Sequence, residues 1–157
     1  VLYRELKEVK GMAGGGIESI MRSFARALES RDLDKALPFF APDATYITPN
    51  GRFTGTEEIR RYLRWMFENN SELAVEECGV GILASGNKAA FEHIVRGTLQ
   101  GKKWELPMLC IYEFAGDKIK RVVTAYDRLS LAKQAAKGWL AQKAVNAVIK
   151  GGEKGLR

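Results

Sequence analysis

Residues 73–127, LAVEECGVGILASGNKAAFEHIVRGTLQGKKWELPMLCIYEFAGDKIKRVVTAYD, decide the fold. Four β-prone runs, at 73–83, 88–99, 103–114 and 118–127, are separated by Ser85-Gly86-Asn87, Gln100-Gly101 and Gly116-Asp117. Long strands joined by three tight turns predict an antiparallel meander. Side chains alternate across a strand, so Phe91, His93, Val95 and Gly97 share one face of the second strand. The same rule groups Leu106, Met108, Cys110 and Tyr112 on the third strand, and Val122, Thr124 and Tyr126 on the fourth. The opposite face carries Ile94, Leu109, Ile111, Val123 and Ala125.

Upstream of the meander the apolar period changes. Ile17, Ile20, Met21, Phe24 and Leu28 recur at helical spacing. Gly14-Gly15-Gly16 precede them and read as a hinge, because no strand comes before the run and no GK[ST] follows it to make a phosphate loop. Asp32 is placed to cap a short helix carrying Leu33, Ala36, Leu37 and Phe40, which Pro42-Asp43 ends. A short strand is expected at 44–48, then a turn at Pro49-Asn50-Gly51. Thr54-Gly55-Thr56-Glu57 has the form of a capping box and opens a helix presenting Ile59, Tyr62, Leu63, Met66 and Phe67 on one side. Downstream, residues 131–149 read as one helix by propensity, with Leu131, Ala135, Gly138, Gln142, Val145 and Ile149 along one face.

The net charge of +6 is unevenly distributed. Residues 1–127 carry 18 basic and 18 acidic side chains, whereas residues 128–157 carry seven cations (Arg128, Lys133, Lys137, Lys143, Lys150, Lys154 and Arg157) against Glu153. A neutral body argues against a surface that tracks phosphates, so no nucleic-acid partner is expected. The basic helix is expected to dock on its own domain, with Trp139 packed inward. A composition of 46% hydrophobic and 28% charged residues is that of a soluble globular chain, and 157 residues suit one core. No apolar run reaches the ~20 residues of a membrane span and no secretory signal is evident, so a cytoplasmic address without a membrane partner is expected. Cys78 and Cys110 stand alone without zinc spacing, and neither a metal nor an organic cofactor is expected.

Three helices with a short strand among them, then a four-stranded meander, resemble the nuclear transport factor 2-like (NTF2-like) superfamily, and within it the SnoaL-like proteins. The resemblance spans about residues 17–129. It rests on Phe40-Ala41-Pro42-Asp43-Ala44, on Gly51-Arg52-Phe53-Thr54-Gly55 and on Ala125-Tyr126-Asp127-Arg128-Leu129. It implies an α+β cone in which helices pack on a strongly curved antiparallel sheet. Residues 1–16 are then an N-terminal extension, and 130–157 a basic C-terminal helix and tail. It further implies that the inner strand faces line a cavity, with Tyr46 and Thr48 contributed by the first strand.

Two chemistries known in such folds find no match. A ketosteroid isomerase-like site needs carboxyl groups where this chain has Thr48 and Cys110. A limonene epoxide hydrolase-like site finds its tyrosine at Tyr46, but its asparagine, arginine and two aspartate positions hold Thr48, His93, Val95 and Thr124. Two functional classes remain. In the first, the cavity is the site of a small, mostly apolar ligand, lined by Thr48, Phe91, Val95, Leu106, Met108, Cys110, Tyr112, Val122, Thr124 and Tyr126. The alternative is a cofactor-independent acid–base enzyme of isomerase, dehydratase, cyclase or hydrolase type, acting on an oxygenated apolar substrate through His93 and Tyr46. Either way the apolar outer face of the sheet predicts a homodimer.

Overall fold

Side-chain alternation and turn chemistry produce one six-stranded sheet in the order β2-β1-β6-β5-β4-β3. The computed structural model describes the backbone of residues 2–155 and the side chains of residues 16–155. The elements are α1 (Leu2–Glu29), α2 (Leu33–Ala36) with a 3-10 turn at Leu37–Phe39, β1 (Phe40–Thr48), β2 (Gly51–Thr54), α3 (Gly55–Asn69), β3 (Asn70–Ser85), β4 (Lys88–Leu99), β5 (Lys102–Ala115), β6 (Lys118–Ala125), α4 (Arg128–Ala135) and α5 (Gly138–Gly152). Strands β3 to β6 form the meander. Strand β1 joins it in parallel to β6 and antiparallel to β2.

Register breaks bend the sheet. The irregularity between Glu77 and Ile82 on β3 inserts extra residues opposite β4, and Glu92 on β4 accepts the N–H of Val80 at 3.0 Å to hold the distortion. A second break, between Phe40 and Thr45, lets β1 begin at Phe40 rather than at Ala44 as the sequence predicts. Pro42 is accommodated at that irregularity, where a missing N–H costs no ladder bond.

Helices α1 and α3 cover the concave face. Met21, Phe24, Ile59 and Leu63 are completely enclosed, and the core runs from them into Phe40, Tyr46, Tyr112, Ile119 and Val122. Asp32 caps α2 as expected, accepting from the N–H groups of Asp34 and Lys35. At the start of α3 the capping box is only half built. The Thr54 side chain makes no cap bond, and the residue reaching back to the Thr54 N–H, at 2.7 Å, is Glu58 rather than Glu57.

Three sequence expectations are corrected. The backbone of α1 continues through Gly14-Gly15-Gly16 instead of hinging there, because glycine weakens a helix by about 1 kcal/mol per residue without forbidding it. The single C-terminal helix is two, broken at Ala136-Lys137-Gly138, where Gly138 takes a left-handed φ of 79°. The basic helix is also not docked through a buried face: α4 packs on β5, but no residue of α5 is buried and its main neighbour is α4. No helix among the described residues is long and apolar enough to cross a membrane.

Candidate functional site

The bent sheet and its helices leave a cavity of about 360 Å³. Its floor is the inner face of β4, β5 and β6, which presents Phe91, His93, Val95, Met108, Cys110, Tyr112 and Thr124. Phe24 and Leu28 of α1 and Tyr62, Trp65 and Met66 of α3 form the opposite wall, with Tyr46 between them. Leu131, Ala132 and Ala135 of α4 close one end, so a helix beyond the meander completes the enclosure.

Of the residues expected to line this space, Thr48, Leu106 and Val122 do not. Thr48 is buried in the β1–β2 turn, where its hydroxyl accepts from the Asn50 N–H at 3.0 Å. Leu106 is fully enclosed with Val95 and Trp104, and Val122 lies in the main core behind Tyr46. Strand alternation places all three on the inner face, but there Thr48 is taken up by the β1–β2 turn and Leu106 and Val122 by their core neighbours. Alternation names a face and not the part of it left uncovered.

Other lining groups escape a strand-by-strand reading. The Trp104 indole N–H donates to Asn70 Oδ1 at 3.0 Å, while Asn70 Nδ2 caps α3 through the Met66 carbonyl at 2.8 Å. The Asn69-Asn70 pair, legible only as a helix end, therefore also fixes the orientation of a cavity tryptophan. Asn50 Nδ2 donates to the Tyr126 hydroxyl at 3.1 Å. Tyr62 stacks on Phe53 with centroids 4.4 Å apart and meets Tyr46 edge-on at 5.1 Å. Asp127 and Arg128 do not pair with each other. Asp127 caps α4 through the Leu129 N–H, and Arg128 donates to the Pro49 carbonyl at 3.1 Å.

His93 is 5% exposed and stacks on Phe91 with centroids 4.2 Å apart. Its Nδ1 lies 3.2 Å from the Phe91 carbonyl. A carbonyl can only accept, so in this bond Nδ1 carries the hydrogen and Nε2 keeps the lone pair. Burial lowers the pKa of His93 against a smaller opposing effect of that hydrogen bond, so the ring is neutral at pH 7. Cys110 Sγ lies 3.2 Å from Thr124 Oγ1, and burial pushes the thiol up to about 11. Burial also raises Tyr62 to about 12 and carries Tyr46 and Tyr112 well above their ordinary range. The interior polar groups are thus uncharged hydroxyls, a thiol, amides and one imidazole. No carboxylate among the described residues lines the cavity, and Arg128 is the one charged group among them that does. Among the described residues no cluster of His, Cys, Asp or Glu could hold a metal ion.

With this geometry in hand, comparison with known proteins is informative about family and fold. No curated protein matches the chain. Among solved structures, an NTF2-like protein of unknown function from Burkholderia pseudomallei superposes with a TM-score of 0.70 at 18% identity, over 78% of this chain and 98% of its own. A Xanthomonas campestris protein provisionally assigned as a polyketide cyclase gives 0.70 at 18% identity, over 79% and 99%. A Catenulispora acidiphila protein with a ketosteroid isomerase-like fold, crystallised with trimethylamine, gives 0.68 at 21% identity, over 74% and 91%. At these identities the likeness is one of fold. The SnoaL-like domain profile matches residues 21–122, most of the helical cover and sheet just described, and the chain, whose fold is that of the NTF2-like structures, therefore belongs to the SnoaL-like family.

Proposed function

We propose that the chain binds a small, uncharged, mostly apolar molecule bearing one or two oxygens inside the cavity. The observation that carries this reading is a 360 Å³ space walled by hydrocarbon and aromatic rings whose interior polar groups are all neutral at pH 7. That volume is within the range of small-molecule sites. A charged ligand would lose its hydration there and, among the described residues, meet no counter-charge beyond Arg128, whereas a hydroxyl or carbonyl meets both donors and acceptors. In this reading Phe91, Val95, Met108 and Tyr112 pack on the ligand, while His93, Tyr46, Cys110, Thr124 and Tyr126 offer it hydrogen bonds. The provisional polyketide cyclase among the related structures supports the same class of oxygenated ligand.

One observation favours a second reading, acid–base catalysis. The Phe91 carbonyl leaves Nε2 of His93 basic, and the lowered pKa keeps it unprotonated at neutrality, while Tyr46 stays a protonated donor. His93 would then take a proton from carbon or oxygen of a substrate whose carbonyl Tyr46 polarises. Among the described residues no lining carboxylate stands behind the imidazole to stabilise its charged form, which favours binding over turnover.

Calorimetric titration with 2-naphthol and 2-naphthoate separates the possibilities, since the two share a ring system and differ in charge. The naphthol is expected to bind at least tenfold tighter, and Met108→Trp, which fills the cavity, to abolish binding without unfolding the protein. Equal affinities, or a preference for the anion, would defeat the reading.

A further inference from the structure

We propose that α5 is a surface-seeking helix that lays the protein on an anionic lipid membrane. The proposal is independent of what the cavity holds. Three rows run along this helix. Ala141, Gln142, Val145 and Ile149 are half-buried, and Gln142 donates to the Lys133 and Ala136 carbonyls at the end of α4. Leu140, Ala144 and Val148, spaced four residues apart, make a second row that is open to solvent, with Leu140 65% and Val148 58% exposed. Trp139, 71% exposed, heads the third row with Lys143 and Lys150, and the Lys143 ammonium stands 6.0 Å from the indole centroid. An exposed apolar row beside a tryptophan–lysine row is the pattern of a helix lying in a membrane interface: the hydrocarbon enters the acyl boundary, the indole rests at headgroup level and the lysines reach phosphate.

Charge selects the occupant. From Arg128 to Gly152 the chain carries five cations and no acidic residue, whereas residues 1–127 are balanced. An acid-free cationic segment on a neutral body complements an anionic surface and leaves the rest of the protein unrepelled. Duplex nucleic acid would give the Leu140–Val148 row nothing apolar to bury against. A second copy pairing through the Leu140–Val148 row would leave the Trp139–Lys143–Lys150 row, well around the helix, outside its seam. Lipid satisfies both rows at once. The helix spans about 22 Å at 1.5 Å per residue and lies along the surface rather than across it.

Co-sedimentation of the full chain with vesicles of pure phosphatidylcholine and of phosphatidylcholine with 30% phosphatidylglycerol tests this. Tenfold or greater preference for the anionic vesicles, falling steeply with salt, is expected, together with a blue shift in tryptophan emission that Trp139→Phe removes. Leu140→Glu should abolish binding, and Lys143→Gln and Lys150→Gln should each weaken it about fivefold. All three sites are exposed, so unchanged melting curves should accompany these losses. Absence of binding at millimolar lipid, or equal binding to both vesicle types, overturns the proposal. So does tighter association with duplex DNA than with anionic vesicles, or conversion of a larger assembly to a smaller one by Leu140→Glu, which would make a second copy the occupant.

Discussion

The indole of Trp104 occupies the space in which a β-carbon on Gly97 would stand, 2.5 Å from the nearest ring atom. The two residues face each other across the β4–β5 ladder, and the close approach leaves the indole N–H aligned on Asn70. Gly97→Ala forces a rigid ring, not a flexible chain end, to move. It should destabilise the protein by about 1–3 kcal/mol through overpacking and detach Trp104 from Asn70. Urea unfolding measures the first effect and tryptophan emission the second. An unshifted midpoint with native emission would show that the strands separate to accept the methyl group.

His93 is the cavity-lining group whose ordinary titration lies between pH 5 and 8; the lining tyrosines and Cys110 are raised by burial. Its folded pKa is below the ordinary value of 6.5, so between the two values the unfolded chain binds more protons than the folded one. Stability is therefore full above about pH 6.5 and declines as pH falls towards the folded pKa. His93→Gln, which carries no titratable ring, should lessen that decline. Melting temperatures of both proteins at pH 7.5 and 5.5 check the sign, and a variant that loses more stability on acidification than the parent would contradict it.

Sequence periodicity shows the meander because a half-buried strand must alternate, and 88–99 does so with little interruption from Ala89 through Phe91, His93 and Val95. The helical cover is legible for the same reason in Ile59, Tyr62, Leu63 and Phe67. What escapes is set by contacts between distant segments. Nothing local distinguishes Leu106, which is covered, from Met108, which faces open space, since both have the same alternation and similar size. Asn70 has two roles, and only the helix end is written beside it. The break at Gly138 is marked by a single glycine, and the helix propensity of the alanines and lysines on either side masks it.

Strand β6 ends opposite Leu109, so the stretch of β5 before it lacks a neighbour on that side. Gln134 of α4 replaces the missing strand: its Oε1 accepts from the Glu105 N–H at 2.9 Å and its Nε2 donates to the Glu105 carbonyl at 2.9 Å. This paired amide ties the helix carrying Leu131 and Ala135 over the cavity end. Gln134→Ala should cost about 1 kcal/mol and, more specifically, raise amide exchange at Glu105 by an order of magnitude. Exchange at Ile111, which is paired with Val123, should stay slow. Unaltered protection at Glu105 would mean that the side-chain amide does not hold the edge.

On the convex side of the sheet, Ala90, Ile111 and Val123 form one cross-strand row, and Glu92, Leu109 and Ala125 the next. Leu109 is 46% and Ile111 42% exposed in the single chain, at the centre of the sheet rather than at its rim. Glu92, the carboxylate in these rows, is turned to the Val80 N–H of the β3 bulge, which leaves the middle of the face apolar. Antiparallel sheets leave one face to solvent when it is polar, and the middle of this one is not. A second sheet laid on it would bury both rows, and we therefore expect a homodimer through this face. Light scattering at micromolar concentration should give twice the chain mass. Ile111→Arg, central and exposed, should return the monomer with its circular dichroism unchanged, because the substitution loads charge onto the interface and leaves the inner core untouched. A parent protein that is monomeric under those conditions, or an Ile111→Arg variant that remains dimeric, would place any self-association elsewhere on the molecule.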